Sequence, residues 1–166
     1  MKSFFLLCGP MGVGKSTVGR ALRDRLENCA FLDGDWCWDM HPFRVTPVTR
    51  RVVLDNICHS LDNFLTCGAF ENVVFCWVMP QREILDGILA RLHTQMWQTL
   101  PLALVCTRTA LEERLRRDIA AGVRAEDVVA RAVAYLPRYA EMGLPTLDVS
   151  RLSAAEAAEQ IERMCR

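Results

Sequence analysis

The chain has 166 residues, a length that fits one domain with a full hydrophobic core. Hydrophobic residues make up 51% of it and charged residues 24%, which predicts a globular fold. Acidic and basic residues balance at 20 each, so we do not expect the one-sign field of a nucleic-acid or membrane-surface protein. The 8 cysteines form no C-x-x-C pair and no zinc spacing, which favours free thiols in a reducing cytoplasm.

Strand-like and helix-like segments alternate from the start of the chain. Residues 4–8 form an apolar run that is shorter than the roughly 7–15 residues of a signal-peptide core, so we interpret it as the first strand. A glycine-rich segment follows at 9–16, and apolar residues then recur at helical spacing over 18–26. Residues 30–32 predict a second strand, which ends at Asp33.

The middle of the chain predicts two helices around a buried strand. Thr46 and Pro47 have the form of an N-cap and a first helical position, and Gly68 is a plausible stop. Residues 73–78 form a continuous apolar run, which is typical of a buried parallel strand. An amphipathic helix is predicted over 84–92.

The remaining elements extend the same alternation. They are a strand at 102–106, a charged helix opened by a capping box at 109–112, a joint near Gly122, a helix over about 125–140, a strand at 146–149, and a helix opened by a capping box at 153–156. This order predicts one parallel sheet with helices on both faces. No apolar run approaches the roughly 20 residues that cross a bilayer, so no membrane partner is expected.

Residues 9–16 carry the most specific signal in the sequence. They fit the pattern G-x-x-x-x-G-K-[ST], placed between an apolar strand and a helix. Backbone N–H groups of such a loop and the helix N-terminus bind phosphate oxygens, Lys15 reaches the outer phosphates, and the Ser16 hydroxyl can ligate Mg²⁺. We therefore predict that ATP and Mg²⁺ are bound by Gly9, Pro10, Met11, Gly12, Val13, Gly14, Lys15, Ser16 and Thr17.

Two acids follow the second predicted strand. Asp33 and Asp35 stand at the carboxyl end of that strand, where an open α/β sheet binds its ligands. One acid can orient Mg²⁺ or its waters, and the other can accept a proton from an attacking hydroxyl. The alternative is that both are turn residues, one of them capping the next helix.

Aromatic and basic side chains next to the acids leave two interpretations open. Trp36 and Trp38 either anchor a loop on the core or form a stacking platform for a substrate. Arg44 either pairs with a nearby acid or grips an anionic substrate group.

Arginines crowd the region from 108 to 138. Helix-face pairs with glutamates explain part of this, but a mobile lid can also carry positive charge to a transferring phosphoryl group. Arg117 is the first catalytic candidate, followed by Arg124 and Arg131.

Residues 9–16 and 31–35 resemble the small P-loop kinases: shikimate kinase, gluconate kinase, chloramphenicol phosphotransferase and adenylate kinase. Residues 111–117 are similar to the helix that enters the lid in that family, and 148–153 to the loop that passes the adenine. The resemblance implies a three-layer P-loop NTPase fold, with a five-stranded parallel sheet, helices on both faces and a small lid at about 108–138. It also implies ATP- and Mg²⁺-dependent transfer of the γ-phosphate to a hydroxyl or phosphate of a small molecule.

The resemblance also implies residue roles. Asp35 falls on the position of the base, Asp33 on the magnesium-associated acid, Arg117 on the lid arginine and Arg114 on an arginine near the adenine. Arg151, in the adenine loop, is a further nucleotide-binding candidate.

Three departures limit the resemblance. The third strand lacks the Walker-B acid of motor ATPases, no Asn-Lys-x-Asp element of GTPases is present, and residues 36–49 match no familiar acceptor-binding pattern. A nucleotide-dependent binding module without transfer stays open, as does a polynucleotide-end kinase, although no basic track for a nucleic-acid backbone is visible. The acid at Asp35 favours transfer, because a binding module does not need it.

Overall fold

A computed structural model describes residues 2–165. Its centre is a parallel sheet of five strands in the order β2-β3-β1-β4-β5, which confirms the predicted fold class. The strands are β1 Lys2–Cys8, β2 Cys29–Asp33, β3 Asn72–Cys76, β4 Trp97–Val105 and β5 Thr146–Asp148. The α-helices are α1 Lys15–Arg25, α2 Pro47–Thr66, α3 Arg82–Leu89, α4 Arg108–Ala120, α5 Val128–Glu141 and α6 Ala154–Met164, and a 3₁₀ helix spans Gly34–Trp38.

The sheet is buried on both faces. Along β1, Phe4 and Leu6 join one apolar cluster and Phe5 and Leu7 join the other, as the twofold side-chain period of a strand requires. Helices α2 and α3 cover the first face, and α1, α4 and α6 cover the second. The central parts of β1 and β3, residues 4–8 and 73–76, are therefore apolar without interruption, which is why they stand out in the sequence.

Two predicted boundaries are wrong. The N-cap of α4 is Thr107, whose hydroxyl accepts from the backbone N–H of Ala110 at 3.2 Å, so the capping box expected at 109–112 does not form. Strand β4 begins at Trp97 rather than at 102, because it pairs with β1 along the whole length of that strand. The capping boxes at Thr46 and Ser153 are both present.

The cysteines have free thiols, as expected. Burial raises the pKa of Cys8 and of Cys76 to about 12, so both stay protonated near neutral pH. Among residues 2–165, none of the helices combines the length and the apolar character that a bilayer span requires.

Candidate active site

The glycine-rich loop joins the end of β1 to the start of α1 and is packed tightly on one side. Gly12 has a φ of +81°, and a Cβ built there would lie 2.5 Å from Cδ2 of Leu115 in α4. Gly14 has a φ of +104° and is the N-cap of α1, with no side-chain cap on the helix. Only glycine combines the positive φ with the lack of a Cβ that position 12 requires. The N–H groups at the start of α1 have no side-chain cap, so they are left to bind an anion.

Lys15 is buried at the start of α1. Its Nζ donates a hydrogen bond to the carbonyl oxygen of Pro10 at 2.9 Å. Burial lowers the pKa of Lys15, and the negative charges of Asp35 and Asp33 partly offset that effect. An ammonium group held out of water in this way is stabilised by an anionic ligand, as the sequence predicts for a phosphate-binding lysine.

Asp33 links the loop to the 3₁₀ helix. The Ser16 hydroxyl donates to Oδ2 of Asp33 at 2.5 Å, and the backbone N–H of Asp35 donates to Oδ1 of Asp33 at 3.0 Å. Asp33 therefore caps the 3₁₀ helix, as the alternative interpretation expects, and its magnesium role stays a prediction. A hydroxyl beside a carboxylate offers the hard oxygen ligands that Mg²⁺ prefers. No cluster of three or more His, Cys, Asp or Glu side chains suited to a metal exists within residues 2–165, so a metal here needs additional ligands.

Asp35 stands in the first turn of the 3₁₀ helix, with its side chain exposed to the cleft. Removal of water by the surrounding protein raises its pKa, and the neighbouring Asp33 raises it further. Lys15 and the Trp77 side chain partly offset the rise. An aspartate with a raised pKa is a stronger base than an ordinary one once it has lost its proton.

The loop and Asp35 open into one cleft of about 450 Å³, a size that suits a nucleotide-sized ligand. Gly9 and Pro10 are buried beneath it. The cleft is lined by residues 11–18, Asp35, Val78, Arg114, Arg117, Asp118, Arg124, Val149, Leu152 and Ala154. The structure thus brings together the loop, Asp35 and three arginines that the sequence analysis names as candidates, Arg114, Arg117 and Arg124.

Arg114 ties three segments of the cleft wall together. One guanidinium nitrogen, Nη1, donates to the carbonyl oxygen of Val13 in the loop at 2.8 Å. The other, Nη2, donates to the carbonyl oxygens of Val149 at 2.5 Å and of Ser150 at 3.4 Å, just after β5. This contact with the segment after β5 is where the resemblance expects the adenine loop.

The arginines beyond Arg114 differ in their surroundings. Arg117 is exposed and lines the cleft, and its Nε donates to the Glu113 carbonyl oxygen at 3.4 Å. Arg124 also lines the cleft, and its Nε bonds Oδ2 of Asp118 at 2.9 Å. The charge of Arg124 lowers the pKa of Asp35, so it stands close enough to act on that carboxyl. Arg131 instead pairs with Asp127 at 3.3 Å, away from the cleft lining.

Residues 6–132 match the model of a family described as AAA domain. The chain belongs to the AAA domain family. No curated protein matches it.

Solved structures share the fold of this AAA domain chain from end to end. The tunicamycin resistance protein of Deinococcus radiodurans is similar at a TM-score of 0.72 and 18% identity, over 99% of this chain and 95% of its own. A gluconokinase from Sinorhizobium meliloti follows at 0.68 and 20%, over 98% and 93%. The shikimate kinase of Acinetobacter baumannii, solved with shikimate, is similar at 0.64 and 22%, over 99% and 93%. These likenesses confirm the predicted resemblance to the small P-loop kinases at the level of fold.

Seven predicted site residues of this AAA domain lie outside the cleft lining that the described residues form. Gly9, Pro10 and Asp33 are buried next to the loop, and the other four are Trp36, Trp38, Arg44 and Arg151. Trp36 packs edge-on against Phe31, with ring centroids 5.5 Å apart. Trp38 packs against Phe43 at 5.8 Å and against the core. These contacts favour an anchoring role for Trp38 and leave one side of Trp36 exposed.

Sequence reasoning missed two residues of the site. Asp118 lines the cleft and holds Arg124, and an i,i+6 pairing across a helix end has no sequence signature. Trp77 follows β3 and touches the 3₁₀ helix so closely that a Cβ on Gly34 would lie 2.5 Å from its Cγ. The glycine between the two acids was the available signal, because it marks a close approach.

Proposed function

We propose that this AAA domain protein is an ATP- and Mg²⁺-dependent phosphotransferase that moves the γ-phosphate to a hydroxyl or phosphate of a small molecule. One observation carries the proposal: the phosphate loop and Asp35 line the same cleft. A module that only binds nucleotide needs the loop but has no use for an acid at its outer edge. The fold shared with a gluconokinase and a shikimate kinase supports the proposal.

The residues of the loop fit a nucleotide with its metal. The buried ammonium of Lys15 and the free N–H groups at the start of α1 suit the outer phosphates. Ser16 and Asp33 suit a magnesium ion, directly or through water. Bound Mg²⁺ would neutralise charge that develops on the phosphate oxygens.

Asp35 is proposed as the residue that receives the acceptor's proton. The acceptor hydroxyl gives its proton to Asp35 as its oxygen bonds to the γ-phosphorus, and the bond from that phosphorus to the bridging oxygen breaks, leaving ADP. The raised pKa of Asp35 matches this role, since a stronger base takes the proton more readily.

A lid at about 108–138 is proposed to close over the nucleotide and to bring Arg117, with Arg124, toward the phosphoryl group. Both arginines already line the cleft, which supports the proposal. Positive charge placed there stabilises the transition state, and closure excludes water that would otherwise hydrolyse ATP. A cytoplasmic location is proposed as well, supported by the free thiols of the cysteines.

The test is ATP consumption with a panel of nucleosides, nucleotides, sugars, acidic metabolites and antibiotics as acceptors, repeated with Lys15→Ala. We expect that the variant stays folded, binds nucleotide more weakly and loses turnover, because its loop no longer offers a cation to the outer phosphates. Lys2→Ala is the matched control, since Lys2 lies over the Trp97 ring, 5.2 Å from its centroid, and has no part in the loop. Unchanged turnover in Lys15→Ala contradicts the assignment.

A further inference from the structure

The chain turns back on itself at the end of α4, and this turn sets one ion pair in the cleft. Gly122 has a φ of +72°, which glycine adopts at little cost. Its backbone N–H donates to the carbonyl oxygen of Ile119 at 2.9 Å, and the N–H of Val123 donates to the carbonyl oxygen of Asp118 at 2.8 Å. These two bonds form a Schellman motif. The motif returns the chain to Asp118, so Arg124 lies beside it.

The side chain of Arg124 is anchored at one end and open at the other. Its Nε donates to Oδ2 of Asp118 at 2.9 Å, whereas Nη1 and Nη2 form no hydrogen bond within residues 2–165. Both residues line the cleft, together with the phosphate loop and Asp35. The side chains of Arg124 and Asp118 are 35% and 39% exposed, so a ligand in the cleft can reach the free nitrogens. The fork of a guanidinium matches two oxygens of a phosphate group.

The charge of Arg124 acts on two groups of the proposed reaction. Burial is the main cause of the lowered pKa of Lys15, and the charge of Arg124 lowers that pKa further. Loss of water raises the pKa of Asp35 most, while the charges of Lys15 and Arg124 lower it. Arg124 therefore stands near both the lysine for the outer phosphates and the acid for the acceptor's proton. The γ-phosphoryl group must lie near the same two groups during transfer.

The other arginines of the cleft lack this combination of an anchor and free nitrogens. Arg114 bonds carbonyl oxygens through both Nη atoms, so they are already occupied. Arg117 has only a long bond, 3.4 Å from its Nε to the Glu113 carbonyl oxygen, and no carboxylate within residues 2–165 pairs with it. Arg124 is therefore the arginine that a carboxylate orients before a ligand arrives. An oriented side chain loses less conformational entropy on binding than a free one.

We propose that Arg124 binds the γ-phosphate of the nucleotide through Nη1 and Nη2, and that Asp118 is a positioning residue that holds it toward the cleft. This inference rests on the proposed phosphotransferase function. Arg124 exchanges no proton, and its positive charge stabilises the negative charge on the phosphate oxygens during transfer. The Asp118 carboxylate acts through Arg124 alone, so its effect should vanish once that arginine is replaced.

Binding of a non-hydrolysable triphosphate tests this contact without an acceptor. Isothermal titration calorimetry would compare adenylyl imidodiphosphate (AMP-PNP) with ADP, each with Mg²⁺. Arg124→Gln should weaken AMP-PNP binding by about tenfold, the loss expected for one charge-assisted hydrogen bond, and leave ADP binding nearly unchanged. Asp118→Ala should weaken AMP-PNP binding by about two- to tenfold, because Arg124 is then ordered only when the nucleotide binds.

A double variant and matched controls separate positioning from a structural role. With Arg124→Gln already present, Asp118→Ala should cause no further loss of AMP-PNP affinity. Asp118→Asn keeps an oxygen that accepts from Nε, so it should retain most of the affinity. Asp127→Ala and Arg116→Gln are the controls, because each removes an ion pair that lies outside the described cleft lining. Both should leave binding unchanged, and Asp118→Ala should lower Tm about as little as Asp127→Ala does.

The inference is overturned if Arg124→Gln leaves AMP-PNP affinity unchanged or weakens ADP equally. It is also overturned if Asp118→Ala weakens AMP-PNP as much without Arg124 as with it, or if it strengthens binding, since Asp118 would then hold the arginine away from the nucleotide.

ATP consumption with the acceptor panel tests the function separately. We expect Arg124→Gln to lower kcat by about 10³-fold. A normal kcat in this variant keeps the phosphotransferase and refutes the inference. An Arg124-dependent preference for AMP-PNP over ADP, with no acceptor phosphorylated, keeps the arginine contact and refutes the transfer.

Discussion

Replacing Arg114 by methionine tests whether this residue holds the cleft together. Methionine keeps an unbranched apolar stem and removes the guanidinium that bonds the carbonyl oxygens of Val13, Val149 and Ser150. The helix α4 then loses its polar link to the phosphate loop and to the segment after β5. We expect the variant to lose both stability and nucleotide affinity, because the same bonds shape the cleft wall.

The size of the loss follows from the bonds. Two of them are short, at 2.8 Å and 2.5 Å, and the third is weak at 3.4 Å. A hydrogen bond to a charged group contributes about 1.5–3 kcal/mol, and water can reach this partly exposed site, so we take the lower figure for each short bond. The free energy of unfolding should fall by about 3 kcal/mol, which lowers Tm by about 6–12 °C in a chain of this length.

Urea and thermal unfolding measure this effect, with nucleotide titration on the same samples. Arg116→Met is the matched control, since Arg116 lies on the same helix and only pairs with Glu112 at 3.2 Å on the surface. An exposed pair of this kind contributes about 0.3–0.5 kcal/mol. If Arg114→Met lowers the free energy of unfolding no more than Arg116→Met does, water replaces the guanidinium without loss. Arg114 then does not hold the cleft wall together.

Three further predictions concern the acid, the lid and the loop. Asp35→Asn should lower kcat by about 10²–10⁴-fold and remove the acid limb of the pH–rate profile, which in the wild type lies above the ordinary aspartate range. The folded state raises the pKa of Asp35, so ionisation of this carboxyl lowers the stability of the wild type as pH rises. The Asn variant cannot ionise there, so its Tm should be higher than that of the wild type at neutral pH. In acid, where Asp35 is protonated, this difference in Tm should disappear. Arg117→Ala should lower kcat far more than ATP affinity, whereas a normal rate with a small change in Tm would leave Arg117 as a surface residue. Gly12→Ala should cost stability and nucleotide affinity together, by about 1–3 kcal/mol, because its Cβ meets Leu115 in addition to the backbone strain. Gly122→Ala is the matched control for backbone strain alone, because Gly122 has a φ of +72° and open space where its Cβ would lie.

The sheet could be predicted from the sequence because its strands are apolar on both faces and end at turn residues. Strand order could not, since β1 and β3 are equally apolar and either could stand at the centre. The start of β4 was missed for a related reason: Pro101 interrupts the apolar run, yet the strand continues through it because residues 97–103 all pair with β1.

The candidate site likewise has one part that the sequence predicts and one part that it does not. The loop and the two acids follow strand ends that lie next to each other once the sheet forms, so their meeting was predictable. Arg117 lies near the end of α4 and Arg124 lies in the turn after it, where no hydrophobic periodicity shows which way a side chain points. The family resemblance places Arg117 ahead of Arg124, although Arg124 is the one of the two whose charge lowers the pKa of Asp35. The catalytic roles of both stay predictions.

The segment proposed as a lid is fixed at each end. Arg114 holds its first part to the loop, and at the other end the Tyr139 hydroxyl donates to the Val78 carbonyl oxygen at 2.6 Å, beside the cleft. Movement is then confined to the stretch between Arg114 and Tyr139. The turn at residues 121–127 is almost entirely exposed, so its backbone angles can change without disturbing the core. Closure of a lid takes about microseconds to milliseconds. Solvent viscosity should therefore lower kcat both through lid movement at this turn and through the departure of products.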